Sequence, residues 1–116
     1  MNRMEEFASF IQSLGGLHDA EATALVWTPA QAEIRISVAD INANFEGLPE
    51  YEGKRPGTFI FSGVTDVVWS VDRPDSRLKI YDWEIELIPE GCISTIKISP
   101  SGRLVIHCAA IALSFG

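Results

Sequence analysis

The stretch LGGLHDA, Leu14–Ala20, separates two kinds of pattern in this chain. Before it, Met4, Phe7, Ala8, Ile11 and Leu14 recur at the spacing of one helical face, so residues 3–14 read as a helix of about three turns. Asn2 stands where an N-cap would, with Glu5 three residues on in a capping-box arrangement. Gly15 and Gly16 supply the left-handed backbone that ends helices, and Leu17 is then placed to fold back onto the last turn. After Asp19 the apolar period drops from 3.6 to two, which makes residues 19–115 β-rich. His18-Asp19 falls on the boundary and so reads first as a helix-to-strand corner, with His18 near the helix carbonyls and Asp19 accepting backbone bonds.

Gly and Pro divide the β-rich region into about seven runs, at 20–27, 32–39, 57–63, 66–72, 77–88, 92–99 and 103–115. All six prolines fall between them, as the missing amide hydrogen requires. Short connections imply antiparallel hairpins in a largely sequential arrangement. The fold class expected is mainly β (α+β), a sandwich or a roll, with the helix packed on the sheet. One face should collect Ile34, Ile36 and Val38, then Val67, Trp69 and Val71, then Trp83, Ile85 and Leu87. In the 77–88 run the apolar phase slips between Ile80 and Trp83, which predicts a β-bulge near Tyr81-Asp82 and a strand that bends from one sheet into another. A three-residue turn at SPSG would set Cys92 opposite Cys108 and Ile96 opposite Leu104.

Length and composition bound the rest. The 116 residues suit a single domain, 1–116, with 47% apolar and 22% charged residues and no biased tract. Sixteen acids against nine Lys and Arg give a formal charge of −7, which repels nucleic acid and anionic membranes and attracts basic partners. Glu5 and Glu6 interrupt what a secretory signal would need, and nowhere do about 18 apolar residues run together. The expectation is a cytoplasmic protein without a membrane span. Cys92 and Cys108 are too few for a disulfide framework or a Cys-rich metal module, and read as core thiols.

Few chemistries find a complete set of residues. A metal phosphohydrolase built on His18-Asp19 needs further His and Asp ligands on helices, yet the chain that follows is β and the other histidine is His107. No G-x-S-x-G elbow supplies a nucleophile. Zinc at His18, Cys92, His107 and Cys108 fails because adjacent strand residues face opposite ways. Asp40, Asn42 and Asn44 alternate like the start of an EF-hand loop, but Phe45 stands where Gly is required and Tyr51 where a bidentate Glu is. No metal, cofactor or catalytic residue is therefore assigned, and a non-enzymatic protein is expected.

Two surfaces remain. Asp82, Glu84 and Glu86 alternate along one strand face, a ridge suited to a basic partner, although solvated carboxylates also discourage edge aggregation. The 41–57 loop is the longest connection and carries Phe45, Leu48 and Tyr51 among charges; it serves either as a contact surface or as a segment pinned to the core. An edge strand is also available to pair with a second copy. The fragments GLHDAE, VWTP, NANFEGLPEY and YDWEIEL resemble a small bacterial family of uncharacterised domains and, more loosely, the predicted immunity proteins of polymorphic toxin systems. That resemblance implies an intracellular protein that neutralises a toxin by binding it. The reading that results is a protein-binding module contacting a basic partner through Asp82, Glu84, Glu86, Phe45 and Tyr51. The alternative is a small-ligand or metal-binding β domain that uses the loop with His18, Asp19, Asp40, Asn42 and Asn44.

Overall fold

The computed structural model describes residues 3–71 and 77–115, so the Asn2 cap and the end of the expected 66–72 strand lie outside the described residues. Helix α1 spans Arg3–Ser13 and is followed by a 3-10 turn, Gly15–Leu17, in which Leu17 is fully buried. Eight strands follow among the described residues: β1 Ala22–Thr28, β2 Glu33–Val38, β3 Gly57–Ser62, β4 Asp66–Ser70, β5 Lys79–Ile88, β6 Gly91–Ser99, β7 Arg103–Cys108 and β8 Ala110–Ser114. They form two antiparallel sheets, ordered β1-β2-β3-β8 and β4-β7-β6-β5. The chain is mainly β with one N-terminal helix, in keeping with its periodicities.

The order is only partly sequential. β1-β2-β3 and β5-β6-β7 follow the chain, but β4 joins β7 and β8 joins β3. The crossover after β3 is short: Val64 N–H donates to the Ala32 carbonyl and Thr65 N–H to that of His107, which carries the chain onto the second sheet within three residues. The expected 103–115 strand is in fact two strands in different sheets, broken at Ala109, whose N–H donates to the Ser62 carbonyl. Its apolar phase slips there, from Leu104, Ile106 and Cys108 to Ile111 and Leu113. Only small residues suit this corner, since a Cβ on Gly63 would come within 2.8 Å of the Ala109 Cβ. Conversely β5 has the expected bulge, a register shift between Ile80 and Asp82, yet stays in its sheet to Ile88. The phase slip marks a bulge in one strand and a sheet change in the other.

The sheets are joined a second time where the segment before β1 meets β5. Asp19 N–H donates to the Ile80 carbonyl at 2.8 Å, Ile80 N–H to that of Ala20 at 2.8 Å, and Ala22 N–H to that of Leu78 at 2.9 Å. Between the sheets, Trp83 meets Phe59 edge-on at 4.8 Å and stacks with Phe61 at 5.7 Å, and Phe7 of α1 reaches both Phe59 and Trp83 at 6.2 Å. Trp83 Nε1–H donates to Ser94 Oγ at 3.2 Å, so the buried indole keeps a partner. Helix α1 thus closes the flank between edge strands β5 and β8. The expected inward face holds for Ile34, Ile36, Val38 and Trp83 but not for Trp69 and Leu87, which are 46% and 41% exposed. Their register partners, Leu104 and Cys92, are buried; Trp69 and Leu87 belong to edge strands, where the opposite sheet no longer covers them.

Candidate functional site

The turn at Gly15–Leu17 brings four of the sequence-derived candidates, His18, Asp19, Asn44 and Asp82, into one neighbourhood. Gly15 and Gly16 have φ of +68° and +66°, the left-handed region where a side chain costs energy. Space forbids one as well: the Asn44 side chain occupies the position of a Gly15 Cβ, and Asp82 Oδ1 lies 2.7 Å from that of Gly16. The turn is therefore wedged between the 41–57 loop and the β5 bulge. His18 closes it, with Nδ1 2.8 Å from the Tyr81 carbonyl oxygen and the ring edge-on to Tyr81 at 5.4 Å. A carbonyl only accepts, so Nδ1 carries the proton. His18 Nε2 lies 3.7 Å from Asp19 Oδ1 on the solvent side. His18 and Asp19 thus secure a helix-to-strand corner at the bulge, and neither lines any of the grooves described below.

The loop between β2 and β3 is organised by one carboxylate. Buried Asp40 accepts the N–H of Asn42 at 2.9 Å and of Arg55 at 3.0 Å through Oδ1, and the Tyr51 hydroxyl at 2.7 Å through Oδ2. Ile41 N–H donates to the Arg55 carbonyl and Asn42 Nδ2–H to that of Gly53, so both ends of the loop are held together. Donating a hydrogen bond to the Asp40 carboxylate keeps the Tyr51 phenol protonated, with a pKa pushed up to about 12; partial burial and the charges of Asp40 and Glu46 act in the same direction. The Asp40 oxygens that resemble a calcium loop are spent on backbone and phenol, the Asn42 side chain donates through Nδ2 to the Gly53 carbonyl, and Asn44 packs on Gly15. Among the described residues no group of three His, Cys, Asp or Glu is arranged to hold a metal. Phe45 is half-buried and Leu48 is half-exposed, so the pinning residue is Tyr51.

The acidic ridge keeps the alternation of its sequence. Asp82, Glu84 and Glu86 stand opposite Lys97, Thr95 and Ile93 on the outer face of the sheet. Asp82 has a cation across from it, so Glu84 and Glu86 carry most of the local negative charge. Beside them a groove of about 720 Å³ runs between α1 and β5, with Glu5, Ala8 and Gln12 on the helical wall and Asp82, Glu84 and Leu87 on the strand wall. Phe45 and Tyr51 are not part of it; the loop reaches the groove only through Asn44 and the glycine turn. The helical wall escaped the sequence reading, which placed Ala8 on the apolar face and Glu5 in a cap, although Glu5, Ala8 and Gln12 at i, i+3 and i+7 form one stripe.

Cys92 and Cys108 are directly opposite in the β6–β7 hairpin, both buried, with sulfurs 3.6 Å apart. The hydrogen bond shared with Cys92, together with burial, pushes the Cys108 thiol far above the usual range. Neither sulfur faces a groove described here.

The fold has a counterpart among solved structures. An uncharacterised protein from Neisseria gonorrhoeae superimposes with a TM-score of 0.55 at 17% sequence identity, over 84% of this chain and 91% of that one. The likeness is one of fold. No protein-family model matches the chain, and no curated protein matches it. No helix among the described residues is long and apolar enough to cross a membrane.

Proposed function

We propose that this chain is a non-enzymatic, cytoplasmic protein-binding module that receives a basic partner along the groove between α1 and β5. The observation that carries the reading is the groove itself, in which Glu5 on the helix faces the Asp82 and Glu84 side of β5, with exposed Leu87 as an apolar contact on the same wall. Carboxylates from two elements converging on one concavity focus negative potential, which speeds encounter with a basic surface and makes it sensitive to salt. A rigid frame supports the arrangement, because Gly16 and His18 lock the strand wall at its bulge. The finer reading, an immunity-type protein that neutralises a toxin, rests on the sequence resemblance alone.

The test is capture of proteins from the source cells at low and high salt, with Asp82, Glu84 and Glu86 replaced together by Ser as the control. A basic protein retained at low salt by the wild type, weakened by salt and lost in the triple variant, supports the module. Retention unchanged in the triple variant removes the ridge from the interface. The immunity-type reading requires in addition that the captured protein be toxic when expressed alone and harmless when co-expressed with this chain.

A further inference from the structure

The two flanks of the molecule are treated differently. The β5–β8 flank is closed by α1, and β5 is lined with Lys79, Asp82, Glu84 and Glu86, the charged protection that edge strands ordinarily carry. The β1–β4 flank lies away from α1, and its two strands carry a single charge, Asp66 at the start of β4. β1 pairs only with β2, and β4 only with β7. Every second residue of β1 directs its amide and carbonyl away from β2, and among the described residues these groups have no partner from Thr23 to Thr28. Residues 22–28, ATALVWT, and 67–70, VVWS, contain no charge and no proline. Five of the ten exposed large apolar side chains of the described residues sit here: Leu25, Val26 and Trp27 on β1, Val68 and Trp69 on β4. An apolar groove of about 540 Å³ opens between Leu25 and Trp69 over a floor that includes Ile36, Ile96 and Leu104.

We infer that this flank is the interface with a second copy of the chain, β1 pairing antiparallel with β1 of its twin about a two-fold axis at Leu25. Three features select that occupant. The unpaired backbone calls for another strand rather than a helix or a small molecule. A molecule of charge −7 repels its own kind least across its uncharged surface, and β1 is uncharged throughout, with Asp66 at the start of β4 the one charge on the two strands, whereas a basic protein is drawn to the ridge on the opposite edge. Third, the two-fold register sets small residues against large ones, Ala24 opposite the partner's Val26 and Thr23 opposite the partner's Trp27. The five apolar side chains expose on the order of 400 Å² per copy, which with the strand backbone approaches the ~1,000 Å² total of a specific interface. The dimer is therefore expected to be reversible and concentration-dependent. It leaves both acidic grooves free on the outer flanks, and it does not rest on the proposed function.

Sedimentation over a hundredfold concentration series tests this, using wild type and Val26→Glu. Val26 is 53% exposed and lies opposite Arg35, so the acid is tolerated within a protomer, while in the dimer the two acids stand diagonally across the axis on one face and repel. The expected result is a monomer–dimer equilibrium in the wild type and a monomer in the variant, with unchanged urea midpoints at low concentration. Amide exchange in β1 should slow as concentration rises. If Val26→Glu unfolds, Ala24→Glu on the same face serves in its place. A wild type that stays monomeric at every concentration overturns the inference, as does a dimer that survives the acid. The former result together with a foreign strand bound at β1 would assign the flank to another protein.

Discussion

Asp40 is the point at which the long loop is most open to attack. Replacing it by Ala withdraws the acceptor from two backbone N–H groups, those of Asn42 and Arg55, and from the Tyr51 hydroxyl. A buried donor left without an acceptor costs about 1–3 kcal/mol, so the two backbone groups set an expected loss of roughly 3 kcal/mol, or about 12 °C in Tm for a chain of this size. Urea unfolding measures it. The same carboxylate fixes the titration of Tyr51. Its phenol pKa is about 12 in the folded protein against 10 for the free group, so the fold binds that proton more tightly than the unfolded chain does. The contribution is complete below pH 10 and is lost as pH rises through 12. In a Tyr81→Phe background, where Tyr51 is the remaining tyrosine, phenolate absorbance should show a midpoint near 12, falling towards 10 in Asp40→Ala. A midpoint near 10 with Asp40 present, or stability unchanged by the substitution, would refute the clamp.

Other outcomes follow from the same geometry. Gly16→Ala should cost more than Gly47→Ala in urea unfolding. Both adopt a left-handed backbone worth about 1–2 kcal/mol against a side chain, but only Gly16 adds crowding, of about 1–3 kcal/mol, against Asp82; equal losses would mean that the wedge is soft. Ser94→Ala leaves the Trp83 indole N–H buried without an acceptor and should lower stability by about 1–3 kcal/mol, with a shift in near-ultraviolet circular dichroism as the aromatic cluster relaxes. Cys92 and Cys108 should resist a thiol-exchange reagent in the native state and react fully in urea, since both are buried; rapid native labelling would contradict their placement.

Much of the fold was legible because local patterns leave few options. A 3.6 period ending in two glycines makes a helix with a left-handed stop, and alternation with prolines confined to its gaps makes strands. The bulge at Tyr81-Asp82, and Cys92 opposite Cys108, followed from counting residues alone. The acidic ridge was legible for the same reason, since alternation dictates which side chains share a face. What such patterns do not carry is the pairing of distant segments. Residues 103–115 and 77–88 show the same one-residue phase slip, yet one changes sheet and the other bulges; the difference lies in Gly63 and Gly91, which let distant segments pack closely at the Ala109 corner.

The sequence by itself determined the type and approximate extent of nearly every element, because helix and strand are decided by spacings of two to four residues and by the backbone limits of Gly and Pro. Only the tertiary structure decided what the exposed residues do. Tyr51 clamps the loop because Asp40 lies in reach of its hydroxyl, and Glu5 joined the acidic groove because α1 packs beside β5. Trp69, written as a core residue by its alternation, came to the surface because β4 is an edge strand that no other strand among the described residues covers. Burial depends on which strands end up last in their sheets, and that is set by long-range pairing that no local spacing records.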